Sequence, residues 1–189
     1  YSTEAPENTL AAYRLAKKKG FNCVECDVSF TSDGRAVLLH DSTVDRTSNG
    51  TGNIKEMTFD EVRALDFGSW KSAAYEGEQI PTFEEFILLC KRLGLHPYIE
   101  LKAGTEAQIK GLVNTVKRYG MKGKVTWISF VADFLWWVQS VDPKARLGLV
   151  VSTVNLEAIN KVRDKMQTGQ NEVFIDCAVD NATADAVLL

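Results

Sequence analysis

Two carboxylates stand two positions apart in an otherwise apolar stretch, "NCVECDVSF" (residues 22–30). On a β-strand, Glu25 and Asp27 project from the same side, because side chains alternate between the two faces. Two carboxylates this close repel each other, and burial adds to the cost. A divalent cation such as Mg²⁺ or Ca²⁺ removes both penalties, since it prefers oxygen ligands. The pair therefore predicts a metal site, with a solvated strand end as the simpler alternative.

Glu100 is the natural third ligand for such an ion. It lies near the end of an apolar strand, in the segment "YIELK" (98–102). In a barrel of parallel strands, the carboxyl ends of the strands form the catalytic face. Glu25 and Asp27 belong to the same face of that barrel. We therefore expect Glu25, Asp27 and Glu100 to bind one divalent cation.

His40 ends the next predicted strand, residues 36–40. If Asp33 and Gly34 form a two-residue hairpin turn, the pairing places His40 opposite Asp27. In a fully parallel barrel, His40 instead lies at the top of the neighbouring strand. Either arrangement brings it close to the carboxylates, where a histidine is suited to proton transfer. A purely structural histidine is the alternative.

Three further side chains have candidate roles. Lys102 follows Glu100 by two positions and points the same way, so it is either a surface lysine or a cation for a substrate phosphate. Phe130 follows a predicted strand, 124–129, and could line a pocket at its end. His96 begins the strand that Glu100 ends, which predicts a structural role at the bottom of a barrel.

The order of predicted elements indicates an α/β fold. Strands are predicted near 22–28, 36–40, 97–101, 124–129, 146–151 and 172–177, and helices near 9–19, 82–93, 105–119, 131–140 and 155–166, with a helix-like end at 182–189. Such alternation is typical of a parallel sheet with helices outside. Reactive residues at the ends of several different strands favour a closed TIM-type (β/α)8 barrel over an open doubly wound sheet. No G-x-G-x-x-G motif follows the first strand, which counts against a Rossmann fold. Six strands are fewer than eight, so we expect the first and last to be lacking here.

One long stretch interrupts this order. Residues 42–81 are rich in turn-forming residues and have little periodicity, apart from a short helical pattern at 58–62. A stretch of this length between regular elements is uncommon and is usually functional.

The composition excludes some classes of function. The chain has 189 residues, 45% of them apolar and 25% charged, with a formal net charge of −3. This charge gives no general reason to expect nucleic acid as a partner, and no apolar run reaches the roughly 20 residues of a transmembrane helix. Cys23 and Cys26 form a C-x-x-C pattern, which we interpret as core residues because no second metal-binding pair accompanies it. The compartment stays undecided, since the chain begins at a Tyr without a preceding Met.

The motifs taken together resemble the glycerophosphodiester phosphodiesterase family. The resemblance covers about residues 5–150 and rests on "PENTLAAY", "VECDVSFTSDGRAVLLHDSTVDRTSNGTG", "FGSW", "IPTFEEFI", "YIELK" and "WISF". It implies a (β/α)8 barrel with a small insertion after the third strand, which matches residues 42–81. The expected organisation is one barrel domain over residues 1–189, incomplete at both ends, with that insertion inside it.

The resemblance also implies an activity and roles for particular residues. The expected reaction is cleavage of glycerophosphodiesters to glycerol 3-phosphate and an alcohol. Glu25, Asp27 and Glu100 would hold Ca²⁺ or Mg²⁺, and His40 would be the general acid for the leaving alcohol. Lys102 would meet the phosphate or the glycerol. The substrate partner is thus a small molecule, while the released alcohol, the oligomeric state and the choice of metal are not decided.

The family's second catalytic histidine belongs to a His-Arg-Gly motif shortly before the "PENT" segment. Because that segment begins here at Pro6, we expect the motif to precede Tyr1. Two alternatives stay open at this stage. One is a phosphodiesterase for lysophospholipids or sphingolipids, and the other is a non-catalytic module that binds phosphodiesters, if the His-Arg-Gly motif is absent from the protein.

Overall fold

The computed structural model describes residues 2–151, 173–177 and 187–188. Within them are seven strands, β1 (Cys23–Phe30), β2 (Ala36–Leu38), β3 (His96–Leu101), β4 (Thr126–Ser129), β5 (Arg146–Val151), β6 (Val173–Cys177) and β7 (Val187–Leu188). The same residues contain five α-helices, α1 (Leu10–Lys18), α2 (Phe59–Arg63), α3 (Phe83–Leu93), α4 (Glu106–Arg118) and α5 (Ala132–Val141). The helix predicted at 155–166 lies outside the described residues. The helix-like end is wrong at residues 187–188, which form a strand that pairs with β6.

The chain divides into two compact units, residues 1–97 with 102–104 and residues 98–101 with 105–189. The strand order is β2-β1-β3-β4-β5-β6-β7. In the first unit, the backbone N–H of His96 donates to the carbonyl of Asn22 over 2.8 Å, and that of Lys102 donates to the carbonyl of Val28 over 3.2 Å. The chain at both ends of β3 is therefore bonded alongside β1, and β2 stands outside the parallel series.

β1 and β2 form an antiparallel hairpin in which Val28 lies opposite Leu38. Its loop is one residue longer than a two-residue turn, because Thr31 and Arg35 close it and Gly34 has a positive φ of 81°. The backbone N–H of Leu39 consequently donates to the carbonyl of Asp27 over 3.0 Å. The predicted pairing of Asp27 with His40 is wrong by one residue. The alternative, in which this strand belongs to a fully parallel series, is also wrong, because β2 pairs antiparallel with β1.

Helix ends in the first unit follow the capping rules. The Thr9 hydroxyl accepts a hydrogen bond from the Ala12 N–H and begins α1. Thr82 and Glu85 form the predicted capping box of α3, in which each side chain satisfies the other residue's backbone N–H. These caps fix where the chain enters α1 and α3, and thereby the position of the turn that precedes α1.

Residues 42–81 build a small apolar core of their own against β2. Buried side chains form this cluster: Val37, Leu39, Val44, Ile54, Val62, Phe67 and Ile80. Gly68 lies where the chain passes very close to itself, since a Cβ there would stand 1.7 Å from the carbonyl oxygen of Tyr75. Only glycine allows this approach. The irregular stretch is thus packed and specifically shaped.

The second unit is a parallel sheet flanked by helices. β3, β4, β5 and β6 pair in parallel, and β7 pairs antiparallel with β6. Helix α4 packs against α5, and α5 contacts β4 and β5, whose buried residues include Trp127 and Leu147. The Ser129 hydroxyl, at the carboxyl end of β4, donates to the Leu101 carbonyl over 2.8 Å.

Candidate metal and acid-base site

The structure brings the three predicted carboxylates together. Glu25, Asp27 and Glu100 each offer a carboxylate oxygen, and these oxygens lie within 4.8 Å of one another. Among the described residues, this is the single group of acidic, His or Cys side chains with the spacing of a metal site. Asp27 is only 4% exposed, Glu100 is half-buried and Glu25 is exposed. A buried carboxylate beside two others is costly without a compensating positive charge.

Asp27 is held in place by two neighbours. The Asn8 amide donates to its Oδ2 over 2.8 Å, and the Lys102 ammonium lies 3.4 Å from its Oδ1. Lys102 therefore lies beside the Asp27 carboxylate and supplies one positive charge there.

Asn8 is a further functional candidate, which the sequence motifs did not single out. Its Oδ1 accepts from the backbone N–H of Asp27 over 3.2 Å and from the Tyr13 hydroxyl over 3.0 Å. Asn8 has a φ of 54°, a left-handed conformation that Asn tolerates better than most residues. Burial is the main cause that raises the pKa of Tyr13 well above its usual value. The Tyr13 hydroxyl therefore stays protonated and donates to Asn8.

An open cleft of about 290 Å³ adjoins these groups within the first unit. Its walls include Glu25, Asp27, Asn8 and Tyr13, with Glu7 at one side. Polar groups dominate this cleft, which suits a charged or hydroxylated ligand.

His40 is exposed, and its ring contacts a chain of charged groups. The Nδ1 atom lies 2.7 Å from Oδ1 of Asp41. Arg46 donates from Nε to Oδ2 of Asp41 over 2.7 Å and from Nη2 to Oδ1 over 3.1 Å. The other side of the same guanidinium binds both carboxylate oxygens of Glu7, at 2.9 and 2.7 Å.

These contacts fix the charges of Asp41 and Arg46. Hydrogen bonds from Arg46, and then from His40, hold the pKa of Asp41 far below its usual value. Hydrogen bonds to Glu7 and Asp41 raise the pKa of Arg46 further still. Asp41 is therefore an anion that only accepts hydrogen bonds. The motifs "HD" and "DRT" are visible in the sequence, but no local pattern predicts the contact of Arg46 with Glu7, 39 residues earlier.

The remaining candidates lie in different settings. Phe130 directly follows β4 and is 51% exposed, close in sequence to the exposed Val131 and Trp136. His96 begins β3 and is half-buried. Cys26 is buried, but Cys23 is exposed, so the interpretation of both cysteines as core residues is wrong for Cys23.

The sequence pattern that defines the glycerophosphoryl diester phosphodiesterase family matches residues 1–175. The chain belongs to this family. A glycerophosphodiester phosphodiesterase of Caldanaerobacter subterraneus is 36% identical over 152 residues, which cover 79% of this chain and 63% of that protein. Glycerophosphodiester phosphodiesterase 1 of Mus musculus is 36% identical over 151 residues, covering 78% of this chain and 46% of that protein. The chain thus spans less than two thirds of the length of these curated relatives.

Solved structures with the same architecture confirm the fold class. A phosphodiesterase of Oleispira antarctica, in complex with the product sn-glycerol-3-phosphate, is 29% identical with a TM-score of 0.77, and the match covers 91% of this chain and 71% of that one. A glycerophosphodiester phosphodiesterase of Agrobacterium tumefaciens is 27% identical with a TM-score of 0.72, covering 94% and 83%. The fold is of the TIM-type barrel class, as the sequence predicted. None of the helices in the described part of the chain has the length and apolar character of a membrane span.

Proposed function

We propose that the protein hydrolyses glycerophosphodiesters to glycerol 3-phosphate and an alcohol, in a reaction that depends on a divalent cation. The observation that carries this proposal is the cluster of carboxylate oxygens from Glu25, Asp27 and Glu100. Membership of the family supports the reaction class. The product held by the Oleispira antarctica phosphodiesterase supports the kind of substrate.

The three carboxylates fit a hard cation, Ca²⁺ or Mg²⁺. Such cations prefer carboxylate oxygens as ligands, and the three carboxylates each offer one oxygen within 4.8 Å of the others. When bound, such an ion supplies positive charge that stabilises a phosphate as negative charge builds on it. Glu25, Asp27 and Glu100 are the proposed ligands.

The chain's own side chains have distinct tasks in this proposal. Asn8 orients the buried carboxylate of Asp27, and Lys102 offers its ammonium to the substrate phosphate. His40 acts as the imidazolium, which gives its Nε2 proton to the departing alcohol and keeps the Nδ1 proton that faces Asp41. Phe130, exposed after β4, contacts the non-phosphate part of the substrate.

The metal ligands can be tested by isothermal titration calorimetry with Ca²⁺ and Mg²⁺ on the full-length protein. Glu25→Gln and Glu100→Gln should each weaken binding at least about tenfold, because each removes one anionic ligand. Glu106→Gln, which removes an exposed carboxylate at the start of α4, serves as the matched control. Unchanged affinity in both ligand variants would exclude this metal site.

The reaction can be followed by ³¹P NMR with glycerophosphocholine as substrate. The proposal expects glycerol 3-phosphate to accumulate, with turnover that stops when EDTA removes the cation and returns when Ca²⁺ or Mg²⁺ is restored. Turnover that persists in EDTA would contradict the metal dependence.

An exposed apolar group favours a second candidate substrate class, lysophospholipids or sphingolipids. Phe130, Val131 and Trp136 are all more than 40% exposed. If they contact an acyl chain, Phe130→Ala should lower kcat/KM for a lysophospholipid while leaving glycerophosphocholine turnover nearly unchanged. Equal effects on both substrates would reject this candidate.

We also propose that residues 1–189 belong to one barrel domain and that residues 42–81 are a small insertion within it. The separate apolar cluster around Ile54, Val62 and Phe67 supports this assignment. Limited proteolysis should leave residues 42–81 intact under conditions that cleave an exposed linker.

A further inference from the structure

We propose that Asp41 and Arg46 are positioning residues that hold the His40 imidazole in the tautomer protonated at Nδ1. This tautomer leaves Nε2 as the atom that exchanges a proton with substrate. The inference rests on the proposed role of His40, and it extends that role to two residues that do not touch the substrate.

A short hydrogen bond joins His40 and Asp41, and its proton belongs to one of them. The distance from Nδ1 to the Asp41 Oδ1 is 2.7 Å, which is a short hydrogen bond. The lowered pKa of Asp41 means that its carboxylate carries no proton to donate. The proton in this bond therefore belongs to Nδ1 of His40.

Arg46 fixes the orientation of the Asp41 carboxylate. Arg46 contacts both oxygens of the Asp41 carboxylate, at 2.7 and 3.1 Å. Its remaining edge forms a fork with Glu7, so rotation of the guanidinium would break bonds on both sides. A planar guanidinium bound in this way sets the plane of the carboxylate, which a lysine could not do.

His40 is too exposed for packing alone to orient its imidazole. Its side chain is 52% exposed, so packing does little to select a rotamer or a tautomer. A free imidazole in water favours the proton on Nε2, which is the reverse of the arrangement found here. The carboxylate of Asp41 reverses that preference, and its negative charge also stabilises the imidazolium that forms when Nε2 takes a proton.

The substitution Asp41→Asn gives a sharp test. Arg46 Nε requires an acceptor, so the amide oxygen of the new side chain should occupy the place of Oδ2. Its NH₂ group then takes the place of Oδ1, loses the 3.1 Å contact with Arg46 Nη2 and donates to Nδ1 of His40, which drives the proton to Nε2. The variant should thus invert the tautomer while it preserves the shape of the side chain.

The readout is ¹⁵N NMR of the imidazole in the full-length protein, at about pH 8.5, where an ordinary histidine is neutral. The His40 signals are assigned by their loss in His40→Gln. The wild type should show the Nδ1–H tautomer, and Asp41→Asn should show the Nε2–H tautomer with kcat at least about 10²-fold lower. Arg63→Lys, which alters another paired arginine, is the matched control and should leave the His40 tautomer unchanged.

Asp41→Ala provides a second route should Asp41→Asn fail to fold. This variant should give the tautomer mixture of a free imidazole. Retention of the Nδ1–H tautomer in either Asp41 variant would overturn the proposal. The tautomer is measured without substrate, so this result is separate from the proposed function, which fails instead if His40→Ala retains full turnover.

Discussion

Arg46 and Arg63 make the same kind of contact but support different parts of the molecule. Both form two-point ion pairs with a carboxylate, Arg46 with Glu7 and Arg63 with Glu85 at 2.8 and 2.7 Å. Arg63 also donates to the Ile80 carbonyl over 2.6 Å, whereas the remaining donors of Arg46 reach Asp41.

The difference lies in what each pair supports. Glu85 completes the capping box of α3, so the contacts of Arg63 end on backbone groups and fix a helix end. The contacts of Arg46 end, through Asp41, on an exposed imidazole. An arginine whose hydrogen bonds and ion pairs end on backbone groups stabilises the fold. An arginine whose contacts end on a reactive side chain orients that side chain. Four experiments test this distinction.

The largest effect is expected for His40→Ala. Loss of the proposed general acid should reduce the release of glycerol 3-phosphate by about 10²–10⁴-fold or more. The melting temperature should change little, because the side chain is exposed. Arg63→Lys should instead lower the melting temperature and leave turnover nearly unchanged. Near-normal turnover by His40→Ala would exclude His40 as the general acid.

Arg63→Ala should lower the free energy of unfolding by about 1–3 kcal/mol, because it removes the donor to the Ile80 carbonyl and the two-point ion pair of Glu85, which then keeps its bonds from Thr82. Urea titration measures this loss. Arg46→Ala should cost less stability, about 1 kcal/mol or below, since the Arg46 side chain is more exposed than that of Arg63, 48% against 28%, yet it should cost more turnover. Equal losses of stability in the two variants would contradict the comparison.

The ion pair of Arg63 should also shape the response to acid. Burial alone would raise the pKa of Glu85, but the hydrogen bonds from Arg63 and Thr82 outweigh it and the pKa is lowered. A lowered carboxylate pKa contributes stability that is complete above the unfolded value, about 4.3, and is lost as the pH falls through the folded value.

Melting temperatures between about pH 6 and pH 2.5 measure this contribution. Arg63→Gln should reduce the fall of the melting temperature with decreasing pH relative to the wild type. In this variant, the pKa of Glu85 differs less between the folded and unfolded states. An acid limb of equal slope would show that Glu85 contributes nothing to it.

The smallest effect is expected for Lys110→Gln. Lys110 pairs with Glu106 one turn earlier on α4, at 2.7 Å and in an exposed position. Such pairs contribute below about 0.5 kcal/mol. A loss above about 1 kcal/mol in urea titration would show that distance alone, rather than the role of the network, decides the contribution.

Patterns local to a few residues were sufficient to predict much of the fold. The capping box at Thr82 and Glu85 is visible as T-x-x-E before an apolar run, and α3 begins where that signal predicts. The alternation of strands and helices likewise predicted β3 to β5 and the helices between them. These signals depend on neighbours three or four positions away, so one sequence contains them in full.

Features that depend on loop geometry or long separations were not accessible in this way. Asp33-Gly34 suggested a two-residue turn, but the Thr31 hydroxyl accepts from the Arg35 N–H and helps close a longer loop. That one residue changes which side chain lies opposite Asp27. The bond from Asn8 to Asp27 joins positions 19 apart, and no local pattern predicts it.

Glu7 and Asn8 are neighbours, yet the first supports Arg46 and the second supports Asp27. The turn that contains both residues therefore positions two otherwise separate hydrogen-bond networks. A one-residue insertion or deletion between Pro6 and Thr9 would misplace both at once, whereas substitutions at either position would affect one. The turn before α1 should thus tolerate changes of side chain far better than changes of length.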